Sequence, residues 1–176
     1  MKSCAITLVL CGFVASLVAA DADIYARRAI VAGAPTVIDG DTLRIKGRVV
    51  RLYGIDAPEQ GQRCEDAQGR RYACGLLAAS FLEGEIAERH VACARQHTDG
   101  YGRAVAVCSV NGRDLAAALV QAGYALEDLR YSDGRYTIAE QEARAARRGM
   151  WGGRFDPPWI WRLRQPMDRR QQGDIR

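Results

Sequence analysis

Three short stretches of the chain concentrate acidic and basic side chains where strand ends would otherwise be bland. They are Val37-Ile38-Asp39-Gly40-Asp41-Thr42, Arg51-Leu52-Tyr53-Gly54-Ile55-Asp56-Ala57-Pro58-Glu59 and Asp99-Gly100-Tyr101-Gly102-Arg103. Carboxylates are the hard oxygen donors that a calcium ion accepts in loose geometry. Arginine suits phosphate, because its planar fork donates two hydrogen bonds to two oxygens. Together these groups are the equipment for handling a phosphate ester. Each stretch also has a plainer use: Asp39-Gly40-Asp41 as a hairpin turn, Asp56 to Glu59 as a strand exit, Arg51 and Arg103 as partners of surface carboxylates. An EF-hand is excluded, since counting from Asp39 the sixth loop position is Arg44 rather than glycine and the twelfth is Val50 rather than glutamate.

The elements that must position these residues are mostly strands. Thr36-Val37-Ile38, Thr42-Leu43-Arg44-Ile45 and Val49-Val50-Arg51-Leu52-Tyr53 predict a three-stranded meander turned by Asp39-Gly40-Asp41 and Lys46-Gly47-Arg48. Tyr53 is expected in the core. A helix is predicted from about Ala67 to Glu88, with Ala73, Leu76, Leu77, Ser80, Phe81 and Gly84 near one face. Two more strands follow, near Val91 to Ala94 and Ala104 to Val110. After the turn Asn111-Gly112, a second helix is capped by Asp114 and closed by Gly123, and a third spans Thr137 to about Arg148 with Gly149 as its stop. The fold class expected is α+β and barrel-dominated: a five-stranded OB-like barrel with about three helices.

The chain has 176 residues, 25 Lys and Arg against 21 Asp and Glu, and room for one ordinary domain. Its start has the order of a secretory signal: a basic Met1-Lys2, an apolar run from Ala5 to Ala19, and a small Ala20 before Asp21. A retained membrane anchor is the competing reading, and the run is short for a span. The expected organisation is a signal peptide at 1–20, a lead-in at 21–34, the folded domain at 35–162 and a polar, disordered tail at 163–176. Trp151, Trp159 and Trp161, toward the end of the domain, are expected to pack on the barrel.

Beyond the signal, Cys64, Cys74, Cys93 and Cys108 remain, and four cysteines in an exported domain point to two disulfides. Three pairings are possible in principle. Cys93 and Cys108 each end a predicted strand, which favours 93–108, with 64–74 closing a local loop. A zinc site is disfavoured, because there is no tight Cys-x-x-Cys pair and His90 and His97 have no ligand spacing.

The three charged stretches resemble, in order and separation, the active-site blocks of staphylococcal nuclease-like (thermonuclease) proteins. Asn111-Gly112, Leu119-Val120, Gly123-Tyr124-Ala125 and Gly149-Met150-Trp151 are similar to further landmarks of that family, so the likeness runs from about Pro35 to Trp161. The resemblance implies an endonuclease that uses Ca2+ to cleave DNA and RNA, leaving 3′-phosphate ends, and the signal-like start makes it an exported one (periplasmic or secreted). It assigns Asp41, Asp56 and the backbone carbonyl of Ala57 to the metal, Glu59 to water activation, and Arg51 and Arg103 to the scissile phosphate. It also assigns Tyr101 and Tyr131 to the substrate.

There are departures from the family pattern. Alanine at 57 replaces a threonine common among relatives, which keeps the carbonyl and removes a hydroxyl. Leu129 stands where a second tyrosine is expected. The family's basic flap is represented by Gln60-Gly61-Gln62-Arg63-Cys64. A monomer without stable membrane association is expected. The alternatives are a non-catalytic nucleic-acid-binding OB-fold module and an exported structural domain.

Overall fold

The computed structural model describes residues 29–165. The expected signal peptide, most of the lead-in and most of the tail lie outside the described residues. Within them, eleven strands, five α-helices and one 3-10 turn make an α+β fold.

The main sheet carries the strands β1 (Ala29–Gly33), β2 (Pro35–Asp39), β3 (Thr42–Ile45), β4 (Arg48–Leu52), β8 (Val91–Thr98) and β9 (Ala104–Val110). Its order is β1-β8-β9-β4-β3-β2, with the short β10 (Arg113–Asp114) added to β9. All its pairings are antiparallel except β4 with β9. The two end strands, β1 and β2, are joined through the single residue Ala34 but share no ladder, so the barrel is curled without being closed. Strand β1 lies inside the stretch expected to be a lead-in, whose lack of clear period hid it.

The meander β2–β3–β4 follows the sequence closely. Lys46 and Gly47 both take positive φ (50° and 78°), the backbone that a tight hairpin matched to strand twist requires. At the other turn, the Asp39 carboxylate accepts the Asp41 N–H at 3.0 Å. Cross-strand pairing sets Arg51 opposite Thr42, beside Asp41.

Helix α1 spans Cys74–Ile86 and is shorter than the helix expected from Ala67. The preceding residues form instead a hairpin of β6 (Cys64–Glu65) and β7 (Arg71–Tyr72). Asp66 directs that turn, its carboxylate accepting the N–H groups of Gln68 and Arg70 at 2.9 Å each. The buried stripe is Cys74, Gly75, Ala78, Leu82 and Ile86, rather than the face with Leu76 and Leu77, which meets solvent. Ala87 ends the helix in the left-handed region.

Helix α2 (Leu115–Ala122) is capped as expected, the Asp114 carboxylate accepting from Ala116 and Ala117 N–H, with Gly123 closing it. The short β5 (Ile55–Asp56) and β11 (Leu126–Glu127) pair with each other. Beyond them come α3 (Leu129–Ser132), α4 (Thr137–Ala145), a 3-10 turn at Gly149–Gly152 and α5 (Pro158–Arg164). Thus there are five helices rather than about three, and α4 ends before Arg148 because the backbone turns left-handed at Arg147.

The main core lies between the sheet and α1 and α2, centred on Leu43, Leu52, Leu82, Leu115 and Leu119. A smaller cluster gathers Cys64, Cys74, Leu126 and Met150 with Trp151 and Phe155 against it. Disulfides join Cys64 to Cys74 and Cys93 to Cys108, the latter across directly paired positions of β8 and β9. Tyr53 is not in the core; it is half-buried with its ring edge-on to His97. No helix of the described residues is long and apolar enough to cross a membrane.

Candidate active site

Asp41 sits at the mouth of the β2–β3 turn and Arg51 on β4 beside it. Nη1 of Arg51 donates to Asp41 Oδ1 at 2.9 Å, and Nη2 lies 2.9 Å from Asp41 Oδ2. The same Nη2 reaches Asp56 Oδ1 at 2.8 Å and the Ile55 carbonyl at 3.4 Å. Asp56 is brought there by Gly54, whose positive φ of 72° turns the chain after β4, and by the pairing of β5 with β11. One guanidinium thus holds two carboxylates, each almost fully buried (3% and 2% exposed).

Asp41 accepts two further bonds, from Thr42 Oγ1 at 2.8 Å and the Ala57 N–H at 3.1 Å. Burial pushes its carboxyl up to about 6 against the opposing pull of Arg51, and Asp39 and Asp56 add to the rise. Gly40 permits the close packing beneath: a Cβ there would lie 2.8 Å from the Cβ atoms of both Ala57 and Ala78.

Glu59 follows Pro58 on the loop after β5. Three contacts hold its backbone. Its N–H donates to Gln62 Oε1 at 3.3 Å, and its carbonyl accepts from the Gln62 N–H at 2.8 Å. Gly75, near the start of α1, lies so close that a Cβ there would be 1.8 Å from the Glu59 carbonyl oxygen. The Cys64–Cys74 disulfide ties the end of this loop to the same helix start. Gln62 is fully buried, and its Nε2 donates to the Asp156 carbonyl at 2.7 Å, just before α5.

Helix α5 contributes a residue that the sequence reading did not single out. Arg162 donates to Glu59 Oε1 at 2.7 Å and grips Asp56 with two bonds, Nη1 to Oδ1 at 3.0 Å and Nη2 to Oδ2 at 2.7 Å. Its only sequence signal is Pro157-Pro158, a helix start that sets the following Trp-Ile-Trp-Arg on a defined turn. Nothing in the sequence marks the burial of Gln62.

A cleft of about 560 Å³ is lined by Asp39, Asp41, Arg51, Ala57, Glu59 and Arg162, and across it by Tyr101 and Arg103. Trp161 also lines it, whereas Trp151 packs edge-on against Phe155 in the smaller core. Arg103 Nε is bound to Asp99 Oδ2 at 2.8 Å, and its guanidinium lies 5.4 Å from the Tyr101 ring centre. It makes no ion pair with the other site carboxylates. Tyr131 stands apart, in an adjoining cleft of about 380 Å³ that shares Arg51 and Arg162 with the first and is also lined by Asp56; its neighbours are His97 and Arg130.

The site therefore offers buried hard oxygens, a semi-exposed carboxylate and several guanidinium groups around one opening. By donor chemistry, Asp41 and Asp56 suit calcium. Among the described residues, no three acidic, histidine or cysteine side chains gather into a ready-made cage. Both carboxylates are bound by arginine, so a cation held by them would have to displace guanidinium contacts.

The family model for the staphylococcal nuclease homologues matches residues 49–153 of the chain. The chain is 37% identical over 123 residues to the succinoglycan biosynthesis protein ExoI of Rhizobium meliloti, covering 69% of this chain and 64% of that protein. It is 36% identical over 157 residues to the protein ParB of Escherichia coli, covering 78% and 81% respectively. With the micrococcal nuclease of Shigella flexneri it shares 32% over 147 residues, covering 72% and 76%. The chain thus spans slightly less than two thirds of the first of these relatives. The match to the family model includes Arg51, Asp56, Glu59 and Arg103 but not Asp41 or Arg162.

Proposed function

The chain belongs to the staphylococcal nuclease homologue family, and from that premise we propose that it is an exported, monomeric, calcium-dependent endonuclease. It hydrolyses phosphodiester bonds of DNA and RNA and leaves 3′-phosphate ends. The observation that carries this reading is one cleft lined by Asp41, Arg51 and Glu59 and faced by Arg103, with Asp56 bound to the lining Arg51 and Arg162. Binding alone gives no reason to bury carboxylates beside a phosphate site, which disfavours the non-catalytic module. Two disulfides suit an oxidising compartment.

A phosphodiester gains negative charge as water attacks, so its hydrolysis needs fixed cations and an activated, aligned nucleophile. Arg51 is a fixed cation, immobilised by two buried carboxylates before substrate arrives. Arg103 meets the phosphate from the opposite wall of the cleft. Glu59 is partly exposed, and its carboxylate takes a proton from the attacking water. Asp41, Asp56 and the Ala57 carbonyl would hold calcium, which when bound supplies Lewis-acid polarisation of a phosphoryl oxygen. Tyr101, 78% exposed at the rim, offers a ring to a nucleotide, as does Tyr131 in the adjoining cleft.

End-group analysis tests the bond that is broken. Digested oligonucleotides should resist 3′-extension until treated with a phosphatase; ends that extend without that treatment would contradict the proposed cleavage.

A further inference from the structure

We propose that Arg162 is the charge-setting cation of this site: it competes with calcium for Asp56 and Glu59, and its charge then favours the phosphodiester. The proposal rests on the calcium-dependent reading above and deepens it.

The geometry is specific. Arg162 closes on Asp56 with both terminal nitrogens and on Glu59 with one of them, at 2.7–3.0 Å. Asp56 Oδ1 is also bound by Arg51, so both oxygens of this carboxylate are engaged. The side chain of Arg162 is 39% exposed, against 22% for Arg51, and it comes from α5, close to the end of the described residues. Of the two arginines gripping Asp56, Arg162 is thus the more exposed, and it comes from the cleft wall rather than from the barrel.

The charges give this contact a direction. Asp41, Asp56 and Glu59 face Arg51 and Arg162, which leaves one net negative charge, and Asp39 and Arg103 on the same cleft cancel each other. A divalent cation turns that balance to one positive, which a phosphodiester monoanion neutralises. Without Arg162 the same carboxylates carry two net negative charges, and the cation leaves nothing for the phosphate. Charges a few ångströms apart in a partly buried cleft interact strongly. Arg162 therefore lowers affinity for the metal and raises affinity for the substrate, so calcium and nucleic acid are taken up together rather than calcium being stored alone.

The test is calorimetric titration of calcium chloride into the intact oxidised protein without nucleic acid, comparing wild type with Arg162→Gln and Arg162→Lys. Arg162→Gln should bind calcium about tenfold more tightly, and Arg162→Lys, which keeps the charge but loses the two-nitrogen grip on Asp56, should change it clearly less. At saturating calcium, KM for a single-stranded oligonucleotide should rise about tenfold in Arg162→Gln and much less in Arg162→Lys. Unchanged or weaker calcium binding in a folded Arg162→Gln protein would overturn the proposal, as would equal behaviour of the two variants. If wild type binds and cuts with calcium while Arg162→Gln matches its calcium affinity, the role of Arg162 falls and the nuclease reading stands. If wild type neither binds calcium nor cuts, the nuclease reading falls with it.

Discussion

The buried amide of Gln62 links Glu59 to the segment that carries Arg162: it accepts the Glu59 N–H at 3.3 Å and donates to the Asp156 carbonyl at 2.7 Å. Gln62 is fully buried beneath the Glu59 loop, so it cannot touch substrate directly. Its work is to hold the Glu59 loop and the start of α5 in register, so that carboxylate and guanidinium meet.

Gln62→Leu keeps most of the volume but leaves the Asp156 carbonyl and the Glu59 N–H without this partner. A cost of about 2 kcal/mol in unfolding free energy is expected. Turnover should fall more than substrate affinity, because the loop bearing Glu59 loses its alignment. Denaturant unfolding combined with steady-state kinetics checks both, and a variant with wild-type kcat would remove Gln62 from any positioning role.

Gly75→Ala is expected to disturb the same loop from the other side. The added Cβ would sit 1.8 Å from the Glu59 carbonyl oxygen, a backbone atom that moves only with the loop. Loss of about 2–3 kcal/mol of stability should accompany a fall in kcat. Gly84→Ala, on the same helix where a Cβ meets nothing within 4 Å, serves as the control and should be neutral or stabilising. Equal behaviour of the two variants would contradict the close packing of α1 on the loop.

Arg103→Ala should lower kcat about 100- to 1,000-fold with a smaller effect on ground-state affinity, as expected for a cation used where charge develops. Single-turnover rates at saturating substrate are the measurement. Near-wild-type turnover would leave Arg103 as no more than the surface partner of Asp99.

The raised carboxyl of Asp41 predicts a pH dependence of the calcium-free fold. Its folded value, about 6, lies above the ordinary 3.8, so the folded chain keeps a proton that the unfolded chain loses between them. Its contribution to stability is full below about pH 4 and is lost as pH rises to about 6, by on the order of 2–3 kcal/mol. Asp99 and Asp128 act with the opposite sign. Bonds from Arg103 outweigh burial at Asp99, and a bond from Arg130 lowers Asp128, so their contributions are lost as pH falls. Both are common to wild type and Asp41→Asn and cancel in the difference. In chelator, the unfolding free energy of wild type minus that of Asp41→Asn should therefore decrease from pH 4 to 6. A flat or rising difference would contradict the burial of a strained carboxylate at this position.

Much of this arrangement was legible in the sequence because it is local. The turn at Asp39-Gly40-Asp41, the hairpin at Lys46-Gly47 and the cap at Asp114 are each written within a few residues, and strand pairing then brings Arg51 to Asp41 without further information. The Cys93–Cys108 pairing was legible because the two cysteines fall in consecutive strands, which pair with each other directly. What escaped depended on distance or phase. The hairpin at 64–72 takes the place of the expected helix start, and periodicity alone does not say which face of the helix meets the core: Leu82 and Ile86 face it, and Leu76 and Leu77 are exposed. Strand β1 has little alternation of its own and is defined by its partner β8. Arg162 lies more than a hundred positions from Asp56 and reads locally as one more arginine beside the tryptophans at the end of the domain.

The most direct test of the central claim is cleavage of plasmid and single-stranded DNA by the oxidised protein and by Glu59→Gln, each with calcium or with excess chelator. Wild type should cut only with calcium, and Glu59→Gln should lose turnover by orders of magnitude while still binding the DNA. A folded wild-type protein that binds DNA but cuts nothing with any common divalent ion would contradict the account and leave a binding module in its place.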